Sequence, residues 1–482
     1  MDNYKKKVTS NLLWRFAERC GAQGMALIVS IILARLLSPD AYGQLALITV
    51  ITSLLQVFVD SGMANALIQK KETDQLDYSS VFYFNMVFCL LLYGGLFFLA
   101  PVIARGYKNE ALTAVIRVLG LTVILSGLTN VQQAYVSKTL QFKRFFFATL
   151  CGSAAGAVTG IAMACSGYEL WALVGQRLVN LLVNCVVLWF TVEWRPIWAF
   201  SWARLKGLIS YGWKLLVSSL LDTAYTKGWQ LIIGLRYTDA DLAYYNQGEQ
   251  FPNLIVSNIN TSIDSVLLPV LSEQQDEKDR VRDMTRRAIR TGTYIIMPMM
   301  MGLAACASSL VSIILTDKWL PAVPFLRIFC ITYMFYPLHT ANLNAVKAMG
   351  RSDTFLKLDV LKKLLGLCLL LLTMRLGVMA MACSLLVNSL FSQLINAWPN
   401  KKLLGYAYPQ QIRDILPALL LSLGMGGAAY AVELLGLGSW PTLLIQVPLG
   451  VLLYVLGSKL CRLESYEYLL AAIKSMTGKG RK

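Results

Sequence analysis

Fourteen hydrophobic stretches, each roughly 20 to 28 residues long, follow one another along almost the whole chain with short polar connections between them. A helix rising 1.5 Å per residue needs about 20 apolar residues to cross about 30 Å of hydrocarbon. Each stretch is therefore long enough to span a bilayer. They lie near 11–37, 42–67, 79–104, 111–136, 145–167, 169–192, 207–235, 242–270, 289–316, 322–347, 354–375, 377–398, 412–434 and 438–461. With 56% hydrophobic and 15% charged residues, the composition lies outside that of soluble domains. The reading is an all-α integral membrane protein of 14 transmembrane helices.

The net charge of +17 does not form a nucleic-acid patch, because the basic residues alternate with topology. Placing Lys5, Lys6 and Lys7 in the cytoplasm puts the basic connections around Lys70, Lys143, Arg204, Arg286, Arg351 and Lys402, and the basic tail, on the same side. Both termini are then cytoplasmic. The first stretch carries Arg15, Glu18 and Arg19 and lacks a cleavage site, so it is expected to remain in the mature chain. Ten cysteines without a CxxC pair read as buried free thiols, and the single histidine, His339, cannot build a His-based metal site alone. No GxxxxGK[ST] run is present, which argues against ATP hydrolysis in this chain.

The chain restarts after residue 206. Trp14-Arg15 is echoed by Trp213-Lys214, and Asp40-Ala41-Tyr42 by Asp241-Leu242-Ala243-Tyr244. The division read from this is an N-lobe of six spans (1–192), a cytoplasmic linker (193–206), a C-lobe of six spans (207–400), and two extra helices with a cytoplasmic tail (401–482). An even number of crossings gives the two pseudo-symmetric lobes the same orientation.

Charged and amide side chains inside spans are costly in hydrocarbon and mark functional interiors or internal pairs. Arg15, Glu18 and Arg19 share one side of the first helix, as an anion-binding cluster held by its carboxylate or as residues snorkelling to lipid phosphates. Lys214 and Asp222 would be their counterparts in the seventh span, with Lys227 deeper. In the eighth span Asn246, Gln250, Asn253, Ser257, Asn260, Thr261 and Asp264 fall on one face, suited to a hydroxyl-rich cargo or to a hydrogen-bonded seam between lobes. Thr49, Thr52, Ser53, Gln56 and Asp60 share a face of the second span, and Arg177, Asn180 and Asn184 one of the sixth. Arg117, Arg177 and Arg327 are the deep cations. Asp60 and Asp222 are candidates for ion coupling, with a buried ion pair as the alternative for Asp60. Gly152, Gly156 and Gly160 form a small-residue stripe for close helix packing. The face carrying Arg282, Arg286, Arg287 and Arg290 suits anionic headgroups, and Asp359 with Lys362 and Lys363 suits a local salt-bridged patch.

The runs Leu36-Leu37-Ser38-Pro39-Asp40-Ala41-Tyr42-Gly43 and Asp60-Ser61-Gly62-Met63-Ala64-Asn65-Ala66-Leu67-Ile68-Gln69 resemble the first two spans of the Wzx-like polysaccharide transporter branch of the MOP (multidrug/oligosaccharidyl-lipid/polysaccharide) flippase superfamily. Tyr244-Tyr245-Asn246 through Leu268-Pro269-Val270-Leu271-Ser272 resembles its eighth span and exit. The resemblance covers spans one to twelve. It implies two six-helix lobes around a central cavity that opens alternately to each side of a bacterial inner membrane. It further implies transport, without enzyme chemistry, of a polyprenyl-pyrophosphate-linked oligosaccharide for exopolysaccharide, capsule or O-antigen synthesis.

No cofactor is implied beyond coupling to Na+ or H+ or to the membrane voltage. The expected partners are the lipid-linked glycan, membrane lipids and polysaccharide biosynthesis enzymes, with the chain itself a monomer and no nucleic acid involved. Two other readings are a MATE-like exporter of small amphipathic compounds, whose cavity should be acidic or aromatic, and a membrane glycosyltransferase or ligase, which generally needs a large external loop that this chain lacks.

Overall fold

The structure, a computed structural model, describes residues 2–60, 63–70, 73–139 and 141–476. Among them all regular secondary structure is helical. Ten helical segments are long and apolar enough to cross a membrane, and α10 with α11, bent by 69° at one residue, makes an eleventh. The chain divides into two compact units, Met1–Ala243 and Tyr244–Lys482.

The first unit contains α1 (Asp2–Leu36), α2 (Pro39–Asp60), the short α3 (Met63–Gln69), α4 (Gln75–Gly106), α5 (Leu112–Lys138), α6 (Phe142–Cys165), α7 (Glu169–Thr191) and α8 (Trp202–Arg236). Pro39 opens α2 because the first turn of a helix needs no amide from that position. The small-residue stripe of α6 does what its spacing suggests. A Cβ on Gly156 would stand 2.6 Å from the Gln176 carbonyl oxygen, and one on Gly152 2.6 Å from that of Asn180, so α7 lies backbone-close along α6. Asn180 and Asn184 pack into this contact, at 2.9 and 3.1 Å from those absent methyl groups. Between α2 and α8 the approach is also tight: a Cβ on Gly234 would overlap the Leu47 side chain.

The connection after α7 is clamped rather than loose. Trp194 is buried against Tyr78 and Phe82, and the Ile197 and Ser201 amides donate to the Ser79 and Ser80 hydroxyls at 3.0 and 2.9 Å. At the start of α4, Asp74 and Asp77 form a reciprocal capping box. Asp77 also pairs with Lys70 at 2.6 Å, and Arg204 pairs with Asp74. The Asp77 amide, then Arg204, hold the Asp74 carboxyl below the usual carboxylate range. Trp198, almost wholly exposed, stacks on Tyr83, with Phe200 and Trp202 also exposed. Such a ring cluster beside helix ends matches the aromatic belt of a membrane interface.

The second unit holds most of α9 (Asp239–Glu273), then α10 (Lys278–Ala305), α11 (Ala307–Leu315), α12 (Val323–Tyr333), α13 (Tyr336–Ala348), α14 (Ser352–Thr373), α15 (Val378–Leu404), α16 (Tyr408–Glu433), α17 (Ser439–Leu460) and α18 (Glu464–Met476). Gly405 ends α15 in the left-handed region (φ 67°), a conformation that costs a side-chain-bearing residue about 1 kcal/mol or more. Helices α16 and α17, the two extra spans, are seated on α10. The Tyr454 hydroxyl donates to the Tyr294 carbonyl at 2.8 Å, Tyr294 donates to Ser458 at 2.8 Å, and Gln446 donates to the Ala429 and Ala305 carbonyls at 3.0 and 3.4 Å. A buried amide network, Asn342 to Gln411 at 2.8 Å and Asn400 to Asn342 at 2.6 Å, ties α13 and α15 to α16.

Two expectations about side chains change. Cys151, Cys165, Cys368, Cys383 and Cys461 are exposed, whereas Cys89, Cys185, Cys306 and Cys330 are buried free thiols. A thiol is apolar enough to sit on the outer face of a membrane helix, so position within a span does not decide burial. The arginine face of α10 is also less open than its sequence suggests, since Arg286 and Arg290 are tied to Asp414. Asp359 does form the expected patch, 2.7 Å from Lys363 and 3.8 Å from Lys362.

Replacing Gly156 by Leu should force α6 and α7 apart and lower stability by about 1–3 kcal/mol, read as a lower melting temperature of the purified protein in detergent. An unchanged melting temperature would contradict this helix contact.

Candidate functional site

Within the first unit a cavity of about 600 Å³ opens among α2, α5, α7 and α8. Its wall is a meeting of polar faces. Helix α2 contributes Thr52, Ser53, Gln56 and Asp60, α5 contributes Thr122, Ser126, Thr129 and Gln133, α7 contributes Arg177, and α8 contributes Ser219 and Thr223. The spacing of each set, three or four residues, puts it on one side of its helix. Among the described residues the lining contains no aromatic ring, one guanidinium and one carboxylate.

The two charged groups are held by neutral partners. Arg177 donates from Nη1 to the Thr49 hydroxyl at 3.2 Å, which leaves most of its five donors for a guest. Asp60 accepts from Gln56 Nε2 at 2.8 Å and from Asn130 Nδ2 at 3.4 Å, and Asn130 also donates to the Val59 carbonyl at 3.1 Å. Among the described residues no cation pairs with Asp60; amides hold it. Several hydroxyls already donate to their own helix, Ser53 to the Val50 carbonyl at 2.8 Å and Thr122 to that of Leu119 at 2.6 Å. Their oxygens then face the cavity as acceptors. Such a wall can bind hydroxyls through acceptors and amides, and an anion through Arg177.

Other polar residues singled out from sequence are distributed differently. Arg117 lies with its guanidinium 4.0 Å over the Phe97 ring and donates to the Phe97 carbonyl at 3.3 Å, which places it in the α4–α5 contact. Arg327 pairs with Glu433 at 3.3 Å, donates to Ser308 and the Ala304 carbonyl at 3.2 Å, and lies over Tyr430. It is an internal tie between α12 and α16. Glu18 accepts from the Thr149 hydroxyl at 3.5 Å, joining α1 to α6. The side chains of Arg15, Arg19 and Lys214 lie outside the described residues. Asp222 is exposed and Lys227 half-buried on α8, beside the cavity residues Ser219 and Thr223.

In the second unit the α9 stripe is partly open. Asn253, Ser257, Thr261 and Asp264 are exposed, Asn246, Gln250 and Asn260 half-buried, and Asp264 accepts from Asn344 Nδ2 at 2.5 Å. The α5 face of the first-unit cavity escaped the sequence reading. Its signal was present, since Thr122, Ser126, Thr129 and Gln133 repeat at helical spacing, but no charge drew attention to it. Glu249 escaped as well: it accepts from the Tyr333 hydroxyl at 2.6 Å within α9 and α12.

A bundle of long apolar helices enclosing a polar cavity is the architecture of a multi-pass membrane transporter. The chain belongs to the polysaccharide biosynthesis protein family, whose sequence pattern matches residues 32–324, more than half of its length. It is 24% identical over 441 residues to the lipopolysaccharide biosynthesis protein WzxC of Escherichia coli (strain K12), covering 88% of each chain. It is 22% identical to the succinoglycan biosynthesis transport protein ExoT of Rhizobium meliloti (strain 1021), covering 68% of this chain and 66% of that one. Among solved structures, the lipid II flippase MurJ in an inward closed conformation superposes with a TM-score of 0.76 at 15% identity, covering 95% of this chain and all of that one. The chain therefore shares the fold of that structure.

If the cavity is wet, a cysteine at Ser126 should react readily with a membrane-impermeant methanethiosulfonate reagent in a variant lacking the ten native cysteines, whereas one at lipid-facing Phe98 should not. Equal protection at both positions would mean that the cavity is dry.

Proposed function

We propose that this chain is a flippase that carries a polyprenyl-pyrophosphate-linked oligosaccharide from the cytoplasmic to the outer leaflet of the bacterial inner membrane, for exopolysaccharide, capsule or O-antigen synthesis. The cavity of the first unit, with its single arginine among hydroxyls and amides, is the observation that carries the reading. Leaving an unsatisfied polar group in hydrocarbon costs several kcal/mol, so a pyrophosphate and a string of sugar hydroxyls do not cross unaided. A polar chamber inside the bundle replaces their water, while the polyprenyl tail stays in lipid. Arg177 takes a phosphate oxygen through its fixed fork of donors, and the α2 and α5 hydroxyls and amides meet the sugar. An amphipathic cation would call for aromatic or multiply acidic walls, which this lining lacks. The relatives' names, which concern succinoglycan transport, lipopolysaccharide biosynthesis and lipid II flipping, support the same assignment.

In this proposal the helices α1, α8 and α14, of 35, 35 and 22 residues, add three crossings to the eleven and give fourteen. Both termini are cytoplasmic, as the alternation of basic loops supports. Two six-helix lobes alternate access around the cargo. Arg15, Arg19 and Lys214 receive the headgroup near the cytoplasmic side, and the α9 stripe from Asn246 to Asp264 meets the glycan. Coupling runs through Asp60, whose amide cradle suits a carboxylate that gains and loses Na+ or H+ in turn. The chain works as a transporter, not an enzyme, and its partners are the lipid-linked glycan, lipids and the enzymes that build and polymerise it.

Deleting the gene should trap complete lipid-linked repeat units on the cytoplasmic leaflet, whereas truncated units would point to a missing enzyme. Complementation with Arg177→Gln should lower export by about 10- to 100-fold at normal abundance, the loss of a charge-assisted contact of about 1.5–3 kcal/mol, with Arg177→Lys recovering part of it. Full export by Arg177→Gln would remove the arginine from the site. Asp60→Asn should abolish the dependence of export on the ion gradient, and a retained dependence would exclude Asp60 from coupling.

A further inference from the structure

The second unit carries a built cationic site where α10, α16 and α18 meet. Its foundation is Asp414, whose side chain is only 3% exposed. Arg286 grips it from Nε and Nη2 at 2.6 and 2.7 Å, Arg290 from Nε at 3.0 Å and from Nη2 at 2.5 Å, and the Tyr406 hydroxyl donates to it at 2.7 Å. Arg290 also reaches Glu464 on α18. One buried carboxylate thus fixes two guanidiniums in place, and the outward Nη1 of Arg286 has no carboxylate partner among the described residues. On either side of this pair lies a cavity, of about 400 Å³ toward α18 and about 530 Å³ toward the start of α16.

Each cavity holds one further arginine that no described carboxylate neutralises. Arg287 lies 5.2 Å over the Tyr468 ring on the α18 side, and Arg413 lines the α16 side. The α16 cavity has four arginines (Arg282, Arg286, Arg290, Arg413) against two acids (Asp283, Asp414), and Asp414 is already saturated. Fixed, outward-aimed donors with surplus positive charge form an anion site whose ordering cost is met inside the protein rather than on binding.

We propose that this corner binds the phosphate headgroup of an anionic phospholipid, with a diphosphatidyl lipid of the cardiolipin type favoured because the two cavities share Arg286 and Arg290 and so can seat two phosphates. Its setting argues for a lipid over a soluble anion. The site lies at the ends of the membrane helices α10 and α16, and α18 beside it places Tyr466, Leu469 and Leu470 at helical spacing, a pattern suited to lying along the bilayer surface. A bound headgroup bridges α10, α16 and α18 and so fastens the two extra spans to the C-terminal unit. This site is separate from the cargo cavity of the first unit, and its existence does not depend on what the chain transports.

The test uses the full chain purified in mild detergent, with native mass spectrometry and thermal stability read during titration of cardiolipin, phosphatidylglycerol, phosphatidylcholine and inorganic pyrophosphate. Cardiolipin should bind and raise the melting temperature, phosphatidylglycerol should do so more weakly, and phosphatidylcholine should not. The variant Arg287→Gln/Arg413→Gln, which spares the Asp414 ion pairs, should bind cardiolipin about 10- to 100-fold more weakly while keeping the melting temperature of the lipid-free protein. Equal binding of phosphatidylcholine, or unchanged cardiolipin affinity in the double variant, would overturn the proposal. Stabilisation by pyrophosphate that matches cardiolipin would overturn the lipid assignment in favour of a soluble anion. Should that variant misfold, Arg413→Gln alone gives the same comparison, with retained wild-type affinity counting against the site.

Discussion

Hydrocarbon offers no hydrogen bonds, and almost every feature of this protein is an answer to that fact. Within the spans the backbone amides bond inside helices, and all regular secondary structure among the described residues is helical. Each polar side chain must then find a partner in another helix or a space that holds water. Arg327 finds Glu433, Asp264 finds Asn344, and Asn342 finds Gln411 and Asn400. Where α2, α5, α7 and α8 turn their polar faces toward one another, the groups line a cavity instead of closing on each other. That difference separates polar groups that close on one another from those that face a cavity.

Close packing makes the difference durable. The glycine stripe of α6 draws α7 in along its length, which consumes Asn180 and Asn184 in the contact and leaves Arg177, on the adjoining side of the same helix, for the cavity. Helix α8 is drawn onto α2 by Gly234 and held at its start by the clamped connection from Trp194 to Arg204. The hydroxyls of Ser219 and Thr223 therefore take fixed positions in the wall. In the second unit, α16 and α17 are fastened to α10 by buried tyrosine, glutamine and serine contacts and by the Asp414 ion pairs. They are integral to that unit's packing.

Much of this was legible in the chain. Apolar runs of membrane-spanning length, the alternation of basic connections, the glycine spacing of α6 and the polar spacing of α2 all carry local physical meaning, since each is a statement about one helix and its surroundings. The motifs around Asp40 and Asp60 and from Tyr244 to Ser272 pointed to polysaccharide transporters, and the chain belongs to the polysaccharide biosynthesis protein family. Less legible was which polar residue meets which. Arg117, Arg177 and Arg327 look alike as deep cations, yet one stacks on a ring, one faces a cavity and one closes an ion pair. The α5 face was visible as a spacing but lacked a charge to single it out.

The sequence by itself determined that the chain spans a membrane many times as helices and that several of those helices carry polar faces, because length, hydropathy and helical period are properties of a single segment. Only the tertiary structure decided which faces converge. A partner such as Glu433 for Arg327 or Thr49 for Arg177 comes from 106 or 128 residues away. Whether a buried charge is cancelled or left to act depends on that distant choice, and on how closely glycine lets the backbones approach.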